Sequence, residues 1–148
     1  MELCNFTKNK KMKELTYNER IAVMRILQDI ILADNKIDER EQLLFNEIAD
    51  LLELTQTAKQ DVENLNSLLA LTMIHDFKQE QKEEFAKLMG QMIIVDKDIN
   101  YNEVRIYNVV NEFCNIKVEF EMDNYPEYTR SWVLRSFHVD IFLSLHHN

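Results

Sequence analysis

The stretch ILADNKIDEREQ, residues 31–42, has the pattern of an apolar helix end, a short acidic break and a new helix. A second stretch, IIVDKDINYNEV at residues 93–104, repeats that order. Each contains an Asp, an Ile three residues later and a Glu four residues after that. The two stretches therefore predict two helix–acidic loop–helix units. Their acids either bind a ligand or only cap the helices.

The composition favours helices throughout. The 148 residues include one Gly and one Pro, whereas folds built from strands and tight turns use both freely. A hydrophobic content of 46% with 29% charged residues is typical of a soluble globular protein. We therefore predict an all-α fold, with residues 1–148 forming a single domain.

The two units match over a long stretch. Residues 30–54 align without gaps with residues 92–116, apolar position with apolar position. The units, about 16–54 and 78–116, are predicted to pack about a pseudo-two-fold axis in a bundle of about six or seven helices. A C-terminal helix at about 127–145 follows a loop that contains Pro126. The pattern favours packing of that helix on the bundle over exposure for a partner.

Details of individual helices follow from capping and apolar spacing. Thr16 and Glu19 predict a capping box at the start of the first long helix. Thr57 is expected to cap a later helix, whose buried face would carry Val62, Leu65, Leu68 and Leu69. The helix after the first acidic loop is expected to bury Leu43, Leu44, Ile48, Leu51 and Leu52.

The net charge and the N-terminal sequence argue against a nucleic-acid-binding, membrane-spanning or secreted protein. The formal net charge of −9 is opposite to that of most duplex DNA binders, so no nucleic-acid partner is expected. No apolar run comes close to the length of about 20 residues that is needed to span a bilayer. The N-terminal sequence lacks the apolar region of a signal peptide, so none is expected. Two cysteines without zinc or disulfide spacing predict a cytoplasmic protein with reduced thiols.

Helix capping alone can account for the acidic residues. Asp38 and Asn100 are suitable N-caps, and Glu41 and Glu103 stand where a capping box needs them. Asp34 and Asp96 are expected to accept hydrogen bonds from backbone N–H groups two residues on. In this interpretation no ligand is required.

The other interpretation is a divalent-cation site, possible only if the loops lie on one side of the molecule. Carboxylate oxygens are the ligands of Ca²⁺ and Mg²⁺. The candidate ligands are Asp34, Asp38, Glu41, Asp96, Asp98 and Glu103. An EF-hand is excluded, because its sixth position would be Tyr101 and its twelfth Tyr107.

The segments LADNKIDEREQLLFNEIADLL and IVDKDINYNEVRIYNVVNEF resemble the paired helical units of TerB-like proteins, the tellurite-resistance family. The resemblance covers roughly residues 16–116 and implies an acidic surface that binds metal or protein. The family usually has Gly after the first Asp, where this chain has Asn35 and Lys97. Asn tolerates positive φ but Lys does so only at a cost, so we expect a different geometry in the second loop.

An enzyme is not expected. The chain has no Gly-rich phosphate loop, no G-x-S-x-G and no H-E-x-x-H. The leading hypothesis is a non-enzymatic module of stress or tellurite response that binds a divalent cation or a partner protein through its acidic surface. The alternative is a pure interaction scaffold, in which the acids are only caps and the apolar C-terminal helix is the contact surface.

Overall fold

The computed structural model describes residues 10–124, and this part of the chain contains α-helices and short 3₁₀ turns but no strand. The helices are α1 (Lys10–Lys13), α2 (Tyr17–Ile31), α3 (Glu39–Leu51), α4 (Ala58–Asn64), α5 (Ser67–His75), α6 (Gln79–Ile94) and α7 (Tyr101–Phe113). Turns of 3₁₀ helix span Leu32–Asp34 and Met122–Asn124.

The all-α prediction is confirmed. The single domain and the pseudo-two-fold relation of the two units stay predictions. The C-terminal helix predicted at about 127–145 lies outside the described residues. No helix among residues 10–124 is long and apolar enough to cross a membrane.

Helix α2 is the centre of the bundle and packs against α3, α4, α5, α6 and α7. The predicted capping box fixes its start, because Thr16 Oγ1 accepts from the N–H of Glu19 while Glu19 Oε1 accepts from the N–H of Thr16. Ala22, Val23 and Leu27 are completely buried. Burying an aliphatic side chain contributes roughly 1.5–3 kcal/mol, so this helix anchors the core to which the other helices attach.

Some expected details of the helices are wrong. Thr57 makes no side-chain cap, and the predicted single helix is broken into α4 and α5. Asn66 causes the break, because its side chain accepts hydrogen bonds from two N–H groups at the start of α5. Leu43 is not in the buried face of α3 but 55% exposed, and Leu68 and Leu69 are exposed too.

Helices α3 and α7 have the same type of structure at their C-terminal ends. Glu53 follows α3 with a φ of 59°, and Asn115 follows α7 with a φ of 56°. In each case the next residue, Leu54 or Ile116, donates back across the helix end to Ala49 or Asn111. These are C-terminal caps of the left-handed type. The two helices are therefore held at both ends by matching local structure.

Candidate metal centre

Two similar acidic loops lead into α3 and α7. Asp34 Oδ1 accepts from the N–H of Lys36 at 2.9 Å, and Asp96 Oδ1 accepts from the N–H of Asp98 at 3.1 Å. The prediction that these two aspartates hold their turns is confirmed.

The second loop does not differ in the way expected. Asn35 has a φ of 61° and Lys97 a φ of 70°, so lysine adopts the left-handed conformation despite its Cβ. The expectation of a changed geometry there is wrong at this residue. The surrounding hydrogen bonds hold Lys97 in a backbone conformation that is unfavourable for lysine by itself.

The N-caps of the two helices are also as predicted. Asp38 Oδ1 accepts from the N–H of Arg40 at 2.7 Å, and Asn100 Oδ1 accepts from the N–H of Asn102 at 2.7 Å. Each cap satisfies one donor of the first helical turn, which stabilises the helix by roughly 0.5–2 kcal/mol.

Neither Glu41 nor Glu103 completes a capping box with hydrogen bonds of good geometry. Both side chains are 0% exposed, and none of their four carboxylate oxygens makes a hydrogen bond of good geometry. The Glu41 carboxylate does lie near the backbone N–H of Asp38 and the carboxylate of Asp96. A buried polar group without a partner is costly, and a buried charge is costlier still. The interpretation of all the acids as helix caps is therefore wrong for Glu103, which makes no contact of this kind with its N-cap Asn100.

Asp96 joins the two glutamates in one buried cluster. One carboxylate oxygen from each of Glu41, Asp96 and Glu103 lies within 4.8 Å of the other two. Asp96 is 8% exposed, so the whole cluster is screened from bulk water. Among residues 10–124 this is the only group of three His, Cys, Asp or Glu side chains close enough to share an ion. We call these three residues the acid centre.

The environment of the acid centre disfavours its negative charges. Burial, together with the charge of Asp96, raises the pKa of Glu41 to about 8. Burial, together with the charges of Glu41 and Asp96, raises the pKa of Glu103 to about 9. Burial also raises the pKa of Asp96. At neutral pH the centre therefore holds either protons or a cation.

The other three predicted ligands lie around the acid centre and are not part of it. Asp34 and Asp38 are half-buried, and Asp98 is exposed. The charges of Asp34 and Asp98 contribute to the raised pKa of Glu103, so both lie within electrostatic range. The two loops thus come together on one side of the described structure, as a shared site requires.

Asp38 forms a hydrogen-bonded ion pair with the side chain of Arg40. Arg40 contacts it through Nε to Oδ1 and through a terminal nitrogen to Oδ2, both at 3.1 Å. This hydrogen-bonded pair lowers the pKa of Asp38. The charges of Asp96 and Glu41 in turn contribute to a raised pKa of Arg40. The role of Arg40 was not predicted, although a basic residue two positions after an acidic N-cap is a signal that the sequence contains.

The acid centre has the donor set of a hard-cation site. Its ligands would be carboxylate oxygens, with neither His nor Cys in the cluster. Ca²⁺ binds oxygen at about 2.3–2.6 Å, so oxygens on opposite sides of one ion are about 4.6–5.2 Å apart. The three carboxylates lie within 4.8 Å of one another, close enough to share one ion. The residues therefore fit a hard divalent cation such as Ca²⁺ or Mg²⁺.

The other reactive side chains of the described part do not form a site. Burial raises the pKa of the Cys114 thiol to about 11, and Cys114 donates to the carbonyl oxygen of Leu71. His75 contacts the neighbouring carboxylate of Asp76 at 3.2 Å on an exposed surface. Neither residue has the surroundings of a nucleophile or a general base.

The fold and the acid centre together define an all-α protein with buried carboxylates between the starts of two helices. Residues 1–64 of this chain match the family model described as "Tellurite resistance protein TerB". The matched part contains Asp34, Asp38 and Glu41. Asp96 and Glu103 lie beyond it, in the part where the resemblance stays a prediction.

A crystal structure of a protein of unknown function from Porphyromonas gingivalis W83 has a similar fold. The two chains are 18% identical, with a TM-score of 0.61, and the match covers 78% of this chain and 97% of the other. At this identity the likeness concerns the fold alone. A comparison with curated proteins finds no match.

Proposed function

We propose that this chain is a non-enzymatic module of the tellurite-resistance type that binds one divalent cation at the acid centre. The observation that carries the proposal is the pair of buried glutamates, Glu41 and Glu103, whose oxygens lack hydrogen bonds of good geometry and lie close to the Asp96 carboxylate. A cation at the centre would satisfy these oxygens and neutralise the repulsion among the three carboxylates.

The contacts of the two loops support the proposal, because they fix the backbone around the acid centre. Asp34 and Asp96 hold the turns, and the N-caps Asp38 and Asn100 fix the first turns of α3 and α7. Glu41 and Glu103 occupy the third position of those helices. Ca²⁺ takes six to eight oxygens, so water molecules or a second oxygen of each carboxylate would complete the shell.

Ion binding would also give the module a means of response. The ion would bridge the loop before α3 and the loop before α7, which belong to different parts of the chain. A partner protein would then meet an acidic surface, formed by Asp34, Asp38 and Asp98, whose two loops the ion holds together. No chemical step is assigned to the chain, because the described reactive side chains lie outside any shared cleft.

Calorimetric titration of the metal-free chain with Ca²⁺, Mg²⁺, Mn²⁺ and Zn²⁺ tests the proposal directly. We expect one site per chain, preference for a hard cation over Zn²⁺, and release of protons when the ion binds, because Glu41 and Glu103 must lose theirs. A ligand at 100 times its Kd raises the unfolding free energy by about 2.7 kcal/mol, which thermal melting detects.

The matched variants are Glu103→Gln and Glu112→Gln, both on α7. Glu112 is exposed and lies outside the acid centre, so its substitution should leave the ion affinity unchanged. Glu103→Gln should abolish binding while the fold is retained. Absence of saturable binding by any of the four ions, or equal binding by both variants, would refute the proposal.

A further inference from the structure

A groove of about 550 Å³ opens beside α3, away from the carboxylates of the acid centre. It is lined by α2, α3, α4 and the connections between them. Its apolar lining is contributed by Met24, Ile31, Phe45, Ala49, Leu54 and Val62. Leu32 and Ile37 line its end near the first acidic loop and are 44% and 63% exposed. An apolar groove of this kind suits a helix laid along it.

The corresponding surface of α7 is covered by the segment that follows this helix, whereas no described segment covers the groove beside α3. Phe45 and Tyr107 each stand seven residues after the N-cap of their helix. Tyr107 is fully buried, donates to the carbonyl oxygen of Val118 at 2.6 Å, and packs edge-on against Phe120 with ring centroids 5.4 Å apart. Phe45 is only half-buried and faces the open groove. The groove thus has room for apolar side chains from a further segment.

The chain after α7 heads toward the end of the bundle where the groove begins. The N–H of Ile116 donates to Asn111, and Val118 contacts both Asn111 and Tyr107. Phe120 then packs on Tyr107, so the contacts move from the end of α7 toward its start. The start of α7 carries Glu103 in the acid centre, and α7 also packs against the turn Leu32–Asp34.

The remaining sequence has the chemistry of a buried helix. Residues 131–145 read SWVLRSFHVDIFLSL, and as a helix this stretch would carry apolar side chains on most of its circumference. Such a helix is stable in water only when it is covered on more than one side, as a groove allows.

We propose that residues 127–145 of the same chain occupy the groove between α3 and α4 as its fourth wall. The segment is then part of the core of the protein and not a surface for a partner. This inference is independent of ion binding, since none of the three residues of the acid centre lines the groove.

Trp132 is the only tryptophan of the chain, so its fluorescence reports on this segment in the full-length protein. We expect a blue-shifted emission maximum and weak quenching by acrylamide. Ala49→Arg places a long charged side chain in the groove and should shift the emission to longer wavelength and steepen the quenching. Asn46→Arg, on the exposed lip of the groove, should act in the same direction and serves where Ala49→Arg does not fold.

Asn108→Arg is the matched control, because Asn108 holds the position of Asn46 on α7, is exposed and does not line the groove. It should leave the emission unchanged. Leu69→Arg tests the competing apolar surface on α5, where Leu69 is 54% exposed.

Three results would overturn the proposal. One is a Trp132 that is freely quenched in the unmodified chain. Another is an emission that responds to Leu69→Arg and not to the groove variants. The third is shielding that disappears on dilution together with a change in sedimentation, which would assign the groove to a second copy of the chain.

Discussion

Glu41 and Glu103 hold the same place in two different helices, three residues after the N-cap, and both turn their carboxylates into the same buried centre. At that place in a helix a glutamate ordinarily turns back to its own N-cap. Here the packing of α3 and α7 buries both side chains, and each lies close to the other's negative charge. Electrostatic repulsion and burial act in the same direction, so the metal-free centre holds protons at neutral pH.

The stability of the metal-free protein should fall as the pH rises from 5 to 9. The folded-state pKa values of Glu41 and Glu103, about 8 and about 9, lie above the ordinary glutamate value of 4.5. The folded state therefore binds more protons than the unfolded state between these values. Their stabilising effect is full below pH 4.5 and is lost as the pH rises through 8 and 9. One pKa unit corresponds to about 1.4 kcal/mol, so raised pKa values at two glutamates make the fall large enough for chemical unfolding to measure.

Urea unfolding in the presence of a chelator at several pH values measures this dependence. The series should start at pH 5, because Asp38, with its lowered pKa, contributes the opposite slope only in acid. The variant Glu103→Gln should show a shallower slope, and saturating cation should stabilise the unmodified protein most at high pH. A free energy of unfolding that stays level or rises between pH 6 and 9 would contradict the assignment of protons to the centre.

The sequence was sufficient to predict the helix caps and the turns, but not to predict which side chains are buried. Asp34, Asp38, Asp96 and Asn100 act through backbone groups within two residues, so local sequence decides their roles. The burial of Glu103 depends on how α7 packs against distant helices, which no local pattern encodes. The same reason explains Leu43, whose helical spacing suits a buried face but which the packing of α3 leaves exposed.

Two predictions of local backbone structure were wrong because other interactions outweighed the preference of the residues concerned. Asn66 capped α5 and interrupted a run of leucines that otherwise has the spacing of one helix. Lys97 took a positive φ because two fixed helices and the turn of Asp96 outweigh its own preference. Both cases concern backbone conformation, where a single residue's preference is worth about 1 kcal/mol and tertiary structure can override it.

The substitution Arg40→Gln should strengthen cation binding and slightly weaken the fold. Arg40 is a positive charge whose field reaches Asp96 and Glu41, and its loss removes competition with the ion. The exposed pair with Asp38 contributes roughly 0.2–1 kcal/mol to stability. Calorimetry at low salt should give a lower Kd for the variant. Arg105→Gln on α7, where Arg105 lies over the ring of Tyr101, is the control that should not change the Kd. A weaker affinity in Arg40→Gln would indicate that Arg40 supports the site.

The substitution Lys97→Gly should stabilise the protein. Lys97 has a φ of 70°, a conformation that costs a residue with a Cβ roughly 1–2 kcal/mol and costs glycine almost nothing. Part of this gain is offset by the greater freedom of glycine in the unfolded chain, which leaves a net gain of about 0.5–1 kcal/mol. Chemical unfolding measures it. Lys36→Gly, in the first loop and without a positive φ, should destabilise instead, and a loss of stability in both variants would mean that Lys97 is not strained.

The substitution Tyr107→Phe should destabilise the protein, and the reverse substitution at the matching position should not. The hydroxyl of the fully buried Tyr107 donates to the carbonyl oxygen of half-buried Val118 at 2.6 Å, so its loss leaves this acceptor without its partner. The expected cost is about 1–3 kcal/mol in urea unfolding. Phe45→Tyr adds a hydroxyl where the side chain lines the open groove, so its effect on unfolding should stay within about 0.5 kcal/mol. A Tyr107→Phe variant as stable as the unmodified chain would mean that the segment after α7 is held to the helix by its apolar contacts alone.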